Sequence, residues 1–206
     1  MLFVNEIIST ILQILVFTAI PFVVYLIGNR RAKGFFDYIG LCKPETRTMI
    51  YAVLCAVAFV LPALLLVFLS PNILEAATAP NTVIGQLRAN GLSVTTFILL
   101  ILKAWIQTAL TEEILFRGFA AKRLIGWLGF TAGNLLQALL FGAVHLLIFA
   151  GQEFSFALAI GVVLYPALGG WIMGYLNERV GNGSIFPGWL MHGLTNLIAY
   201  SVLLFA

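Results

Sequence analysis

Residues 92–130 read LSVTTFILLILKAWIQTALTEEILFRGFAAKRLIGWLGF, an apolar run long enough to cross a bilayer yet broken by Glu112-Glu113 and Arg117. Ionisable side chains at bilayer depth cost at least about 2.5–3.5 kcal/mol each on insertion scales, so they mark a functional hypothesis by default. The chain has only two histidines, His145 and His192, and both also fall within apolar segments. Two acids and two imidazoles in one hydrocarbon layer predict a polar chemical centre below the membrane surface.

Composition points the same way. The 206 residues are 62% hydrophobic and 9% charged, with a mean hydropathy of +1.06, far from the balance of a soluble domain. This length suits one compact unit, a single transmembrane helical domain over 1–206 with a catalytic core at about 93–206. The net charge of +3 is assigned to loops facing anionic lipid, and no part of the chain has the footprint of a nucleic-acid partner. Cys42 and Cys55 are too few and too separated for a disulfide framework or a metal knuckle. No Lys or Arg precedes the first apolar run, and that run exceeds the core of a signal peptide, so it is read as a retained span.

The apolar runs predict an all-α bundle of six transmembrane helices. They lie at approximately Ile7–Ile27, Met49–Leu69, Ser93–Phe119, Thr131–Ala150, Phe154–Leu176 and Ser184–Phe205. Arg30, Arg31, Lys33, Lys43 and Arg47 follow the first span. Arg117, Lys122 and Arg123 mark the end of the third, and Arg179 the end of the fifth. These are nine of the eleven basic residues, with Arg88 opposite and Lys103 inside the third span. The positive-inside bias then places both termini outside the cytoplasm. Ser70–Gly91, with Pro71 and Pro80, reads as an external loop carrying a short surface helix. Glu6, Glu45, Glu75, Glu153 and Glu178 read as solvated ends. Lys103 is expected to snorkel or pair near the outer boundary. Alternating strands, internal repeats and heptads are absent, which leaves a helical bundle as the architecture.

Helical spacing sorts the polar residues into faces. Glu113 and Arg117 are four apart and meet as an ion pair. Glu112 is rotated by about 100° from Glu113 and escapes that pairing. Phe141 and His145 share a face, as do His192 and Asn196. Measured from the expected turn at Gly126–Gly129, Glu112 and His145 reach similar depth, roughly 21–24 Å along the axis. Measured from the turn at Gly181–Gly183, His192 reaches only roughly 14 Å, a mismatch that requires tilt or a displacement at Pro187. Gly169-Gly170 and Gly174 read as sites of close helix packing.

TEEILFRGF at Thr111–Phe119, FGAVH at Phe141–His145 and PGWLMHGLTN at Pro187–Asn196 carry the patterns EExxxR, FxxxH and HxxxN in order. In these the chain resembles the CPBP (CAAX protease and bacteriocin-processing, or Abi) family of intramembrane endopeptidases, related to the type II CAAX prenyl endopeptidase. The resemblance implies hydrolysis of a peptide bond within the membrane. It makes Glu112 the general base on a water, His145 its aid, and His192 and Asn196 the oxyanion stabilisers. Glu113 and Arg117 hold the site in shape. The implied partners are membrane lipid and a peptide or protein substrate, prenylated or leader-bearing, and the small six-span chain looks like a bacterial plasma-membrane member.

The residues themselves suit that chemistry. A carboxylate shielded from water is a better base near neutral pH, and preorganised donors act most strongly away from bulk solvent. Glu112, His145 and His192 also number enough ligands for zinc with water in the fourth position. There is no HExxH helix, however, and a carboxylate activates water without metal, so a cofactor-free reaction is favoured. Competing readings make His192 and Asn196 hydrogen-bonding glue between helices, and the protein a non-proteolytic scaffold or bacteriocin immunity protein. A proton-coupled transporter is disfavoured by the lack of paired repeats.

Overall fold

The computed structural model describes residues 2–149 and 156–206. The expected end of the fourth span at Ala150, the start of the fifth at Phe154, and Glu153 lie outside the described residues. Every element among the described residues is helical. They include α1 (Leu2–Asn29), α2 (Phe35–Tyr38), α3 (Thr46–Leu69), α4 (Pro71–Ala77), α5 (Val83–Ala89), α6 (Val94–Ile101), α7 (Lys122–Val144), α8 (Phe156–Tyr175), continued by a wide-turn segment over Leu176–Val180, and α9 (Phe186–Leu204). α6 runs into α7 through two wide-turn π segments, Leu102–Leu110 and Glu113–Ala121.

Four helices are long and apolar enough to cross a membrane: Phe3–Asn29, Thr46–Leu69, Val94–Leu147 and Ala159–Val180. The third is 54 residues long, and its backbone breaks at Gly129 with φ 76 and ψ 167. That left-handed φ suits glycine, which has no Cβ to clash. α9 is 19 residues long but falls outside this group because His192, Thr195 and Asn196 interrupt its apolar character.

Burial separates core from periphery. Only 11% of the apolar window of α1 and 17% of that of α3 is buried, against 44% for Val94–Leu147. α3 turns a single stripe inward (Thr48, Ala52, Ala56 and Val60), spaced by four so that one face meets α9. Ala52 and Ala56 pack there with Phe141, Met173, Leu176 and Met191. Small residues allow this close approach, the main source of helix association where lipid replaces water. Ile50, Leu54, Leu61 and Leu65 on the other faces are exposed, as expected of side chains meant for acyl chains.

The segment expected to be a surface loop contains two helices, and α5 is more than a surface element. Its Leu87 is fully buried with Leu99, Leu100 and Leu204. Arg88 donates from Nε and Nη2 to the Leu203 carbonyl at 3.0 and 2.7 Å. Lys103 pairs rather than snorkels, holding Glu6 at 2.6 Å and Gln86 at 3.3 Å. Glu6 and Glu178 therefore do not belong to solvated ends. Each neutralises a lysine between elements, Glu178 pairing with Lys122 at 2.5 Å.

Gly174 shows how tightly α7 and α8 meet, since a Cβ there would stand 1.9 Å from Asn134 Oδ1. Gly161, on the same helix, has nothing within 4 Å of that position. Gly174→Ala is expected to lower stability by about 1–3 kcal/mol through overpacking, and Gly161→Ala to change it little. Thermal unfolding in detergent compares the two; equal midpoints would show that the α7–α8 contact is slack.

Candidate active site

The two acids sit where the wide-turn segments join. Glu113 is fully buried, and its Oε1 lies 2.9 Å from Arg117 Nη1 on the same helical face. The contact is an ion pair rather than an aligned hydrogen bond, because no guanidinium nitrogen of Arg117 has a hydrogen-bond partner among the described residues. Arg117 is also fully buried and stacks 4.0 Å above the Phe141 ring. Two charges in this setting must neutralise each other, since a lone buried ion is far too costly.

His192 joins the pair to the second acid. Its Nδ1 is 3.1 Å from Glu113 Oε1, and a carboxylate can only accept, so Nδ1–H is the donor. Nε2 is thereby left facing Glu112, 3.8 Å from Oε2. That separation exceeds a direct hydrogen bond. Glu112 Oε2 is buried and has no hydrogen-bond partner among the described residues, which agrees with the expectation that Glu112 escapes the ion pair. His145 donates Nδ1–H to the Phe141 carbonyl at 2.7 Å, so its Nε2 is the lone-pair nitrogen of the neutral ring.

His145, His192 and Asn196 line one cavity of about 160 Å³, walled by Phe59, Tyr165 and Met191. Glu112 is not among the lining residues; its Oε2 lies 3.8 Å from Nε2 of His192, which is. Among the described residues Asn196 Nδ2 makes only a long contact, 3.5 Å, with the Ala104 carbonyl, leaving its amide weakly committed. Among the described residues no three His, Cys, Asp or Glu side chains gather as a set able to hold a metal ion. Glu112, His145 and His192 therefore do not fit zinc in this arrangement, and no step below runs through one.

The expected depth mismatch has a local resolution. The turn before α9 packs against Lys122 rather than against the Gly126–Gly129 turn, with Lys122 Nζ 2.6 Å from the Gly183 carbonyl. Lys122 lies ten residues from Glu112, and Gly183 nine from His192. Counted from this contact, the two residues lie at similar heights along their helices. Asn182 and Gly183 form this turn with φ 57 and 75.

Several supporting residues escape the sequence reading. Asn134 and Gln137 are fully buried and tie α7 to α8. Asn134 Nδ2 donates to the Trp171 carbonyl at 3.0 Å, and Gln137 Nε2 to the Gly170 carbonyl at 2.9 Å. Trp189 Nε1 donates to the Trp105 carbonyl at 2.8 Å, joining α9 to the segment that carries Glu112. Spacing offers one signal, since Asn134 and Gln137 are three apart on an apolar helix. The partners are backbone carbonyls, which no side-chain pattern marks.

Glu113→Leu is expected to lower stability by about 3–5 kcal/mol, because Arg117 is left buried and unpaired. Adding Arg117→Met should return much of that loss. Unfolding midpoints of the two single variants and the double measure the coupling, and additive losses would count against a pair.

The profile of the family described as Type II CAAX prenyl endopeptidase Rce1-like matches residues 94–198, a range that includes Glu112, Glu113, Arg117, His145, His192 and Asn196. No curated protein and no solved structure matches the chain. With half of its length matched and the clustered residues all inside that half, the chain belongs to the type II CAAX prenyl endopeptidase Rce1-like family.

Proposed function

We propose that the protein is an intramembrane endopeptidase that uses Glu112 to activate water for attack on a peptide bond. The observation that carries this reading is His192 set between two carboxylates, 3.1 Å from Glu113 and 3.8 Å from Glu112, at a cavity it shares with His145 and Asn196. Glu112 takes a proton from water as the hydroxide adds to the scissile carbonyl. It then returns a proton to the departing amine, so the carboxylate is regenerated. His145, with Nδ1 committed to the Phe141 carbonyl, offers Nε2 to hold the attacking water.

The negative charge that develops on the carbonyl oxygen needs donors. The Asn196 amide supplies one. His192 supplies another from Nε2 when it carries both protons, with Glu113 already engaging Nδ1. Glu113 and Arg117 set the ring plane and do not touch substrate. No metal is invoked, because a carboxylate and two imidazoles suffice for the proton transfers.

In this reading the chain is one transmembrane domain of six crossings, with the long third helix counted twice at Gly129 and α9 as the last. The distribution of basic residues supports termini outside the cytoplasm of a bacterial plasma membrane. The substrate is a membrane-associated peptide or protein, such as a prenylated C-terminus or a leader peptide. The apolar wall of Phe59, Met173 and Met191 beside the polar residues suits a ligand that is itself partly lipid-soluble.

Purified protein in detergent, offered a peptide library, is expected to cleave. Glu112→Gln should lose at least about 10²-fold, the scale of general-base catalysis. Asn196→Ala should lose about 10²–10³-fold in kcat, and chelators should leave the rate unchanged. Equal cleavage by wild type and Glu112→Gln would remove Glu112 from the mechanism.

A further inference from the structure

Two buried polar atoms near the site lack hydrogen-bond partners and border the same point. Glu113 commits Oε1 to both Arg117 and His192, while its Oε2 has no partner among the described residues. Asn177 accepts the Gly188 N–H on Oδ1 at 2.7 Å, while its Nδ2 has none. Both side chains belong to fully buried residues. A Cβ on Gly188 would stand 2.6 Å from Glu113 Oε2 and 2.7 Å from Asn177 Nδ2. An acceptor and a donor without partners among the described residues therefore border the same point over Gly188, which has no side chain to separate them.

We propose that Asn177 is a positioning residue for the peptidase centre, its Nδ2–H holding Glu113 Oε2 directly or through one water seated over Gly188. The inference rests on the endopeptidase reading above. The carboxamide serves both ends of the site: Oδ1 takes an otherwise unpaired amide from the first turn of α9, and Nδ2 fixes the carboxylate that aims His192. His192 lies four residues after Gly188 on the same helix, so one side chain sets both the helix start and the acid its imidazole meets. A neutral donor suits this place, because Arg117 already balances the charge of Glu113. The large majority of buried side-chain polar atoms are paired, and Asn177 Nδ2 is an unpartnered neutral donor that borders the same point as Glu113 Oε2.

Asn177→Asp separates positioning from capping, since it keeps an oxygen for the Gly188 amide but replaces the donor facing Glu113 with an acceptor. Among folded molecules it is expected to lower kcat about 10- to 100-fold, the scale of losing an outer-shell partner, with KM within about two-fold. Gly188→Ala, whose methyl would enter the same spot, should behave likewise. Wild-type kcat in Asn177→Asp overturns the proposal. A high-resolution experimental structure of the wild type in a lipid mimetic supplies a measurement that does not depend on the variants folding. Asn177 Nδ2 within about 3.2 Å of Glu113 Oε2, or joined to it by one ordered water, supports the proposal, and neither arrangement refutes it. Wild type without any peptidase activity would sink the endopeptidase reading, while this distance still judges the Asn177 contact.

Discussion

A carboxylate buried to zero exposure has to be neutralised, and the way Glu113 meets that demand organises the protein. One of its oxygens contacts both the Arg117 guanidinium at 2.9 Å and the His192 ring at 3.1 Å. The first contact is local, within one helix; the second ties that helix to α9. Phe141 completes the arrangement from α7, with its ring 4.0 Å beneath Arg117 and edge-on to His145 and His192 at 4.8 and 5.8 Å between centroids. The three short motifs are thus parts of one assembly. Phe141 is the surface on which the charged pair and both imidazoles pack, which gives the aromatic residue of FxxxH a physical reason.

Close approach makes that assembly possible. Gly170 sits against Arg117 Nη2, Gly174 against Asn134, and Gly193 against the Trp105 ring, each at a distance where a Cβ would intrude. Lipid offers little hydrophobic drive between helices, so packing and interhelical hydrogen bonds must hold them. The Asn134–Gln137 bonds to backbone carbonyls of α8 serve that end, and small residues on α8 let them form. α1 is attached by polar contacts to the same long helix. Gln13 Nε2 reaches the Gln107 carbonyl at 2.9 Å and Thr111 Oγ1 at 3.2 Å, and Glu6 reaches Lys103. A helix that buries so little of its surface needs such anchors to keep its place.

The opposite end of the bundle is tied with equal care. Arg123 lies 3.4 Å over the Tyr38 ring and donates to the Tyr38 carbonyl. The Ile185 N–H donates to the Gly40 carbonyl at 2.9 Å, and Ser184 Oγ to that of Cys42 at 2.7 Å. Together with Lys122 on Gly183, these bonds gather the connection after α1, the start of α7 and the connection before α9 into one layer. That layer sets the height at which His192 enters the site. The peptidase reading therefore depends on loop contacts remote from the chemistry as well as on the acids and imidazoles.

Helical class, membrane character and the Glu113–Arg117 pair are determined by the chain alone, because each follows from local rules: apolar runs of bilayer length and side chains four apart on a helix. The Gly129 and Gly181–Gly183 turns are legible for the same reason, since glycine and asparagine mark left-handed backbone. Only the tertiary structure decided that His192 bridges both acids, that Glu6 and Glu178 are paired, and that Asn177, Gln137 and Gly188 belong around the site. Those facts depend on how far one helix slides along another. Sliding is set by contacts to backbone carbonyls, such as Lys122 to Gly183, which every residue type presents alike and no sequence pattern distinguishes.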